Sequence, residues 1–396
     1  MSKLDELLQE LCPNGVQYQK LSDALSIERG KRVVREQLSN NGIYPVYQNS
    51  LTPLGFYSEF NFPAGMTFII VAGAAGEIGY SPTPFWAADD CFVLNGKDKL
   101  FGRYLYHVLL KMKSQLASKV RKASIPRLSR IAIENLVIPV PPLEIQREIV
   151  RVLDKFTMLS AELSAELSAR QKQYSFYREK LLSFAPTVTW KTLGDIGKVS
   201  MCKRIMKNET SSSGEIPFYK IGTFGKEADA YISKDLFEKY KAQYSYPKKG
   251  DILISAAGTI GRTVVFDGKP AYFQDSNIVW VANDETQVLN RFLLHWYATN
   301  PWKVSTGGTI SRLYNDNIAN AKVPVPPLDV QQRIVNVLDN FDAICSDLNI
   351  GLPAEISARQ KQYEYYRDLL LSFKNIDNIT DRQTDRQTDR QTDRQT

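Results

Sequence analysis

A segment that occurs twice constrains the fold of this chain more than any other feature of its sequence. Pro139–Phe156 reads PVPPLEIQREIVRVLDKF, and Pro324–Phe341 reads PVPPLDVQQRIVNVLDNF. Further along the chain, Ser168–Tyr174 (SARQKQY) returns unchanged as Ser357–Tyr363. Two long matches at nearly the same separation indicate a tandem duplication, so the fold should consist of one arrangement built twice.

The regions that precede these matches are also related, although only at scattered positions. Lys31 and Arg32 correspond to Lys203 and Arg204. Further landmarks, such as the sequence Ala-Gly-x-Ile-Gly, also occur once in each region. Between these landmarks the two regions differ almost completely. We therefore predict one fold with two different surfaces.

The residues after each proline-rich start show the periodicity of a long helix. Ile149, Phe156 and Leu163 recur at heptad spacing, which predicts a coiled-coil-like helix from about residue 142 to 184. Such a helix would be roughly 65 Å long. Its apolar stripe needs a partner, and the second copy is the obvious one. In that copy Gly351–Pro353 should kink or break the helix, because an internal proline costs about 3 kcal/mol.

These patterns predict an α+β fold class with two similar globular domains, each a small twisted sheet with peripheral helices. The two long helices should lie antiparallel in a pseudo-twofold, cyclic arrangement, with the N-terminal helix docked near the far end of the second long helix. The predicted segments are an N-terminal helix at 1–15, domain 1 at 16–138, helical spacer 1 at 139–187, domain 2 at 188–322, helical spacer 2 at 323–374 and a disordered tail at 375–396.

Charge and composition limit the possible functions. The 396 residues carry a formal charge of +7, with 43% hydrophobic and 23% charged side chains. These values are typical of a globular chain with a mild preference for polyanions. No apolar run could span a bilayer and no leader follows Met1, so we predict a cytoplasmic protein without a membrane partner. Four scattered cysteines without Cys-x-x-Cys spacing suggest neither disulfides nor zinc.

Motifs for catalysis or cofactor binding are missing from the sequence. The glycine-rich stretches 72–79 and 255–262 lack a Walker-type lysine and the Gly-x-Gly-x-x-Gly pattern, so we interpret both as tight turns between strands. His107 and His295 occupy equivalent positions without an identifiable nucleophile, which favours a structural role. The Asn-Pro-Pro-Tyr/Phe motif of an amino-methyltransferase does not occur. We therefore predict no catalytic residue, no metal ligand and no cofactor.

Basic residues interleaved with aromatic and amide side chains favour DNA binding. Arginine and glutamine can read base edges, and lysine and tyrosine commonly contact phosphates. A solvated polar surface explains any single residue equally well, but the duplicated set strengthens the DNA-binding interpretation. The candidate DNA-binding residues are Lys31, Arg32, Tyr44, Tyr47 and Gln48 in domain 1, and Lys203, Arg204, Tyr219, Lys220 and Arg262 in domain 2.

Two variable domains alternate here with two copies of Pro-x-Pro-Pro-Leu-(Glu/Asp)-x-Gln-x-x-Ile-Val-x-x-Leu-Asp. This arrangement resembles the DNA sequence-specificity subunits of type I restriction–modification systems, over essentially the whole chain except the tail. The resemblance implies that each variable domain is a target recognition domain that reads one half of a bipartite, asymmetric site in double-stranded DNA. It also implies two methyltransferase subunits and restriction subunits as partners. Adenine methylation and ATP-dependent cleavage would then belong to those partners, and this chain would not be an enzyme.

The resemblance also gives roles to the helical spacers, which would set the gap between the half-sites and bind the modification subunits. Ser160–Leu167 (SAELSAEL) looks like the family's spacer-length element. Two alternatives stay open: a fragment of a fused restriction–methylation enzyme, and a structural scaffold with two protein-binding domains. The residues expected to build the spacers or contact partner subunits are Leu143, Gln146, Leu153, Leu328, Gln331 and Leu338.

The end of the chain is a simple repeat. From Thr380 onward, four Thr-Asp-Arg-Gln units contain no apolar residue, which predicts disorder. The unit can be encoded as ACA GAC AGA CAG, which is the tetranucleotide ACAG repeated. Slippage by one tetranucleotide would shift the reading frame, so we predict a phase-variable gene; a random low-complexity end is the alternative. Synonymous codons scattered through the repeat would exclude phase variation.

Overall fold

The computed structural model describes residues 3–39, 41–96, 98–303 and 312–376. The chain divides into two units. Unit 1 contains Met1–Ser164 and Glu355–Thr396, and unit 2 contains Ala165–Ala354. Each unit therefore combines one of the globular regions with parts of both predicted helical spacers. The predicted tail lies outside the described residues from 377 onward.

Helix α1 is the first element of unit 1, and nine strands follow among the described residues of its globular region. A 3₁₀ turn at Arg35–Gln37 follows the second strand. The helices are α1 (Lys3–Leu11), α2 (Leu21–Ala24), α3 (Gly102–Lys111), α4 (Lys113–Ser118) and α5 (Arg130–Glu134). The strands are β1 (Tyr18–Lys20), β2 (Ser26–Arg29), β3 (Tyr44–Tyr47), β4 (Gly55–Tyr57), β5 (Met66–Ile70), β6 (Ile78–Ser81), β7 (Trp86–Ala87), β8 (Cys91–Asn95) and β9 (Val137–Pro139).

The strands of unit 1 form three sheets. A four-stranded antiparallel sheet has the order β2-β8-β5-β6. A three-stranded sheet has the order β4-β3-β7, in which β3 and β7 are parallel. The pair β1-β9 connects the two ends of the globular region. Side chains alternate along β5: Phe68 and Ile70 enter one buried cluster, and Ile69 enters another, as the two faces of a central strand require.

Unit 2 repeats this architecture. The strands are β10 (Trp190–Thr192), β11 (Gly197–Met201), β12 (Ile216–Tyr219), β13 (Tyr231–Ile232), β14 (Ile252–Ser255), β15 (Thr263–Val265), β16 (Tyr272–Phe273), β17 (Ile278–Asn283) and β18 (Lys322–Pro324). The sheets have the corresponding orders β11-β17-β14-β15, β13-β12-β16 and β10-β18, with β12 and β16 parallel. The helices of its globular region are α7 (Leu193–Ile196), α8 (Lys234–Gln243), α9 (Asn290–Tyr297) and α10 (Asn315–Ala319). The prediction of one fold built twice is confirmed.

Both glycine-rich stretches are turns between antiparallel strands, as predicted. The first joins β5 to β6, and the second joins β14 to β15. Gly73 and Gly76 have φ angles of 80° and 90°. This left-handed conformation is open to glycine at little cost.

The spacer helices follow the predicted pattern, including the interruption in the second copy. Helix α6 runs without a break over Leu143–Leu181, whereas the second copy is divided into α11 (Leu328–Ser346) and α12 (Leu352–Leu370). Pro353 lies in the first turn of α12, where its missing N–H group costs nothing. Gly351 lies just before that helix, and a β-carbon there would come within 2.5 Å of the Ala343 carbonyl oxygen.

A buried glutamine joins each globular region to its spacer helix. Gln146 Oε1 accepts a hydrogen bond from the Phe101 N–H (2.8 Å), and its Nε2 donates to the carbonyls of Lys99 and Pro141. Gln331 makes the same three bonds in unit 2, with the Leu289 N–H and with the carbonyls of residues 287 and 326. Both glutamines are fully buried. Each amide therefore satisfies the backbone just before α3 or α9.

An Arg–His–Asp cluster forms a second joint in each unit. In unit 1, Arg103 Nε and His107 Nε2 both contact Asp154 Oδ1, at 2.8 and 3.0 Å, and His107 Nδ1 lies 2.8 Å from the Tyr363 hydroxyl. Burial lowers the pKa of His107, and the hydrogen bond to Asp154 opposes that shift only in part. The imidazole is buried and paired, which confirms the predicted structural role.

Unit 2 repeats this cluster with Arg291, His295 and Asp339. The Arg291 guanidinium pairs with the Asp339 carboxylate at 2.7 Å, and His295 Nε2 lies 2.7 Å from the same oxygen. Burial likewise lowers the pKa of His295. The duplicated Leu-Asp of the spacer motif therefore anchors the helix that carries the arginine and the histidine.

Further contacts within each unit involve the spacer helices. The rings of Phe156 and Tyr366 stack at 5.2 Å in unit 1, and those of Tyr177 and Phe341 stack at 5.5 Å in unit 2. Leu4 of α1 is buried in the same core as Leu371, at the end of α12. The predicted docking of α1 at the end of the second spacer is confirmed.

The described residues provide neither a membrane-spanning helix nor a cluster of metal ligands. None of the helices there is both long enough and apolar enough to cross a bilayer. Over the same residues, histidine, cysteine, aspartate and glutamate side chains do not gather into a group of three or more that could hold a metal ion.

Replacing either buried glutamine should destabilise its own unit. We expect Gln146→Ala and Gln331→Ala each to lower the free energy of unfolding by about 2–4 kcal/mol, because one N–H and two carbonyl groups lose their partner. Urea denaturation followed by circular dichroism measures the loss. Arg147→Ala, which removes an exposed neighbour on the same helix, is the control. Equal stability of all three variants would contradict the proposed joint.

Mild acid should destabilise both units through their histidines. The pKa of each imidazole is lower in the folded chain than the value of about 6.5 expected when unfolded. The unfolded chain therefore binds more protons as the pH falls below that value, and stability present at pH 7 is lost toward pH 5. Calorimetry should show a falling Tm over this range, with a weaker fall in a His107→Gln/His295→Gln variant. A Tm that rises on acidification would contradict this assignment.

Candidate nucleic-acid interface

A groove occurs at the same place in both units, beside the 3₁₀ turn and the end of the central strand of the three-stranded sheet. In unit 2 the turn is Lys207–Glu209, and the strand is β12. Groove 1 is lined by Arg32, Val33, Val34, Arg35, Glu36, Gln48, Asn49 and Leu54. Groove 2 is lined by Arg204, Ile205, Met206, Lys207, Thr210, Phe218, Lys220, Gln274, Asp275, Ser276, Asn277 and Arg312.

The two grooves match position by position where the duplicated sequences match. Arg32 corresponds to Arg204, and Gln48 corresponds to Lys220. The chain thus places a basic residue on one wall of each groove. On the other wall, an amide in unit 1 is replaced by an ammonium group in unit 2. The same backbone therefore presents different chemistry to a ligand.

Three of the four cations that line groove 2, Arg204, Lys220 and Arg312, are held by partners. Arg204 Nε lies 3.0 Å from Asp275 Oδ2, and Lys220 pairs with Asp229 at 2.9 Å. Arg312 Nη2 donates to the Ser276 carbonyl at 2.7 Å. Ser276 has a φ angle of 58°, which is uncommon for a residue other than glycine and marks a constrained turn in the groove wall.

The cations of groove 1 are less restrained. Arg32 and Arg35 are exposed, and in the described part of the chain neither forms an ion pair. The neighbouring Lys31 is also exposed, and its carbonyl accepts a hydrogen bond from the Trp86 indole at 2.9 Å. This hydrogen bond holds the backbone at Lys31, while the Lys31 and Arg32 side chains lie exposed at the surface.

Of the ten predicted DNA-binding residues, Arg32, Gln48, Arg204 and Lys220 line the grooves. Tyr47 is half-buried and packs against Phe68 at 4.7 Å, and burial raises the pKa of its phenol. The other positions are as follows: Lys31 lies beside groove 1, Tyr44 contacts Phe60, Lys203 lies over the Tyr244 ring, Tyr219 stacks on Phe273, and Arg262 donates to the Phe224 carbonyl.

A cationic loop next to groove 1 was not among the predicted residues. We call residues 119–127 the basic loop; its Lys119, Arg121, Lys122 and Arg127 are all exposed. None of these four forms an ion pair in the described part of the chain. Paired backbone hydrogen bonds between residues 121 and 127 close the loop. The run from 111 to 130 contains seven Lys or Arg and no Asp or Glu, and this charge pattern could have revealed it.

The basic loop and groove 1 are joined through the glycine-rich turn. The Gly73 N–H donates to the Pro126 carbonyl of the loop at 3.2 Å, and the Ala74 N–H donates to the Asn49 carbonyl of the groove at 2.9 Å. Groove and loop therefore belong to one surface of unit 1. Such a surface combines exposed cations that can attract a polyanion with polar side chains that can discriminate between bases.

Four of the six residues predicted to build the spacers or contact partner subunits lie on the spacer helices and face their own unit. Gln146, Leu153, Gln331 and Leu338 are fully buried in their own units, so a partner subunit cannot reach them. They hold the spacer helix against its globular region instead. The sequence could not distinguish these roles, because both require one ordered face of a helix. Leu143 is half-buried and Leu328 is 41% exposed.

Comparison with known proteins identifies the family. The model of the type I restriction modification DNA specificity domain matches residues 13–170 and again residues 187–358. The chain belongs to this family. It is 48% identical to a type I restriction enzyme specificity subunit of Haemophilus influenzae, over 90% of this chain and 96% of that protein. It is also 32% identical to the EcoR124I/EcoR124II specificity subunit of Escherichia coli, over 72% of this chain and 74% of that protein.

Solved structures agree with this fold. The type I restriction–modification S subunit of M. genitalium matches with a TM-score of 0.62 at 17% identity, over 90% of this chain and 96% of that one. Family membership confirms the predicted function: the chain provides DNA sequence specificity in a type I restriction–modification system, and the catalytic activities lie in other subunits. This result favours the specificity subunit over both alternatives, the enzyme fragment and the scaffold.

Neutralising the basic loop should weaken binding to every duplex alike. We expect Arg121→Ala/Lys122→Ala to reduce the slope of log affinity against log salt by about two, because two phosphate contacts are lost. Fluorescence anisotropy with the assembled methyltransferase complex, at several salt concentrations, measures the slope. Arg130→Ala is the matched control, since Arg130 already pairs with Glu134 at 2.7 Å. An unchanged slope would remove the basic loop from the interface.

Proposed function

We propose that the two units read the two halves of a bipartite, asymmetric DNA site, unit 1 through groove 1 and the basic loop, and unit 2 through groove 2. The observation that carries this proposal is the groove itself, which occurs at the same place in both units but with different side chains. A duplicated fold with unlike surfaces suits a target whose halves differ in sequence.

The two kinds of surface would divide the work of recognition. Exposed lysines and arginines attract any duplex, and this attraction falls with salt. Polar groups on the groove walls can distinguish bases: an amide such as Gln48 pairs well with adenine, and a guanidinium such as Arg204 pairs well with guanine. The other predicted residues, Lys31, Tyr44 and Lys203 among them, would support the surface around each groove.

The spacer helices would determine the gap between the two half-sites. In this proposal they lie antiparallel, coiled-coil-like, in a pseudo-twofold cyclic arrangement, and the recognition domains at 16–138 and 188–322 are carried by spacers at 139–187 and 323–374. Each pair of helical residues added or removed would change the gap by about one base-pair rise. Ser160–Leu167 is the segment where such a change would act.

The partners in this proposal are two methyltransferase subunits and additional restriction subunits, which methylate adenine and cleave DNA with ATP. Leu143 and Leu328 are the predicted residues that remain accessible enough to contact them. The cytoplasmic location predicted from the sequence belongs to the same proposal.

Exchanging one recognition domain tests the proposal directly. Replacing 16–138 with the corresponding region of a relative should change one half of the methylated sequence and leave the other half and the gap unaltered. Methylome sequencing of cells that carry the hybrid with its methyltransferase reads all three quantities. A hybrid that alters both half-sites would contradict the assignment of one half-site to each unit.

A further inference from the structure

Arg32 in groove 1 and Arg204 in groove 2 occupy corresponding positions, but only Arg204 is paired with a carboxylate in the described part of the chain. The inference drawn from this difference rests on the proposed function. We infer that Arg204 reads a guanine in the half-site bound by unit 2, with Asp275 as the residue that positions it. The corresponding Arg32 of unit 1 contacts phosphate instead. The structure thus assigns base discrimination to one copy of a duplicated arginine and general attraction to the other.

The geometry of Arg204 suits a base edge. Its Nε donates to Asp275 Oδ2 at 3.0 Å, so this contact leaves both terminal amino groups of the guanidinium unused. The Asp275 side chain is 17% exposed and that of Arg204 is 68% exposed, so the carboxylate lies inside and the guanidinium outside. A planar guanidinium fixed in this way can donate two parallel hydrogen bonds to O6 and N7 of guanine in the major groove.

Hydrogen bonds from the two following residues hold Asp275 in place. Its Oδ2 also accepts a hydrogen bond from the Ser276 hydroxyl at 3.2 Å, and its carbonyl accepts one from the Asn277 N–H. Ser276, with its positive φ, presents its own carbonyl to Arg312 on the same groove wall. The carboxylate that orients Arg204 is therefore part of a constrained turn. Pre-orientation of this kind reduces the conformational entropy lost when a ligand binds.

Unit 1 has the same residues but not the same contact. Asp89 follows β7 by two positions, as Asp275 follows β16, and Arg32 occupies the place of Arg204. Asp89 Oδ1 is nevertheless buried without a hydrogen-bond partner in the described part of the chain. Arg32 is exposed and has no ion-pair partner there. A cation that no carboxylate orients suits a phosphate, which accepts hydrogen bonds over a wide range of directions, better than it suits a base edge.

The duplicated arginines provide a matched experiment. The complex of this chain with its methyltransferase subunits would be given duplexes in which each half-site position is randomised, and methylated products would be sequenced. We expect Arg204→Ala to lose about 10- to 100-fold discrimination at a single G·C position of one half-site. Arg204→Lys, which keeps the charge but lacks the planar pair of donors, should restore only part of it.

A substitution of Asp275 tests separately whether this residue positions Arg204. Asp275→Asn leaves Arg204 in place but weakens the contact that orients it, so we expect partial loss of discrimination at the same G·C position with little loss of overall affinity. A thermal denaturation midpoint equal to that of the unmodified chain would confirm that the variant folds. Arg32→Ala, the control, should lower binding to all sequences, reduce the salt slope by about one and leave both half-site sequences unchanged.

The outcomes separate this inference from the proposed function. If Arg204→Ala weakens all sequences equally, as Arg32→Ala does, Arg204 contacts phosphate and the inference is wrong, although groove 2 still binds DNA. If Arg204→Ala changes neither affinity nor sequence preference, the inference fails as well. Failure of the proposed function would instead appear in the domain exchange, which does not depend on Arg204. Loss of discrimination confined to one G·C position would support the inference.

Discussion

A buried glutamine amide at the start of each spacer helix is the contact on which both units depend. The segment before each helix contains Pro-Pro, which has no N–H groups. Its backbone therefore cannot donate hydrogen bonds to the carbonyl groups nearby. Gln146 and Gln331 supply the missing donors and the missing acceptor, and each thereby fixes the residues that lead into α3 or α9. The aspartate eight positions later, Asp154 or Asp339, binds the arginine and the histidine of α3 or α9 and so holds that helix against the spacer. A short motif thus determines where a whole recognition region is attached.

The difference between the buried joint and the exposed groove walls explains which parts of the duplicated sequence still match. The joint requires particular atoms at particular distances, because a buried polar group without a partner is costly. The side chains on the groove walls need no particular buried partner. Gln48 and Lys220 occupy corresponding positions, and each follows its strand equally well. The duplicated fold thus combines a fixed attachment with groove walls whose side chains can differ.

The features that could be predicted from sequence are those with a local cause. Heptad spacing predicts α6, Pro353 predicts an interruption of the second spacer helix, and the glycines at 73 and 76 permit a tight turn. The grooves could not be predicted, because Arg32 and Gln48 meet only once β3 has paired with β4 and β7. The glutamines were expected to serve as spacers or to contact partners, since a polar residue on an apolar helix face does not reveal what it satisfies. The basic loop could have been found from its charge run alone.

The contrast between the two grooves follows from how charge and order contribute to recognition. A cation such as Arg32, which is exposed and has no ion-pair partner in the described part of the chain, gains much from a phosphate and little from a particular base, because no carboxylate fixes its direction. A cation already paired with a carboxylate gains less from bulk charge, since its field is partly neutralised before the duplex arrives. Its fixed direction becomes useful only when the ligand offers acceptors in a matching geometry, as guanine does. A chain that duplicates one domain can therefore separate affinity from discrimination by changing the partner of a single arginine, without changing the arginine.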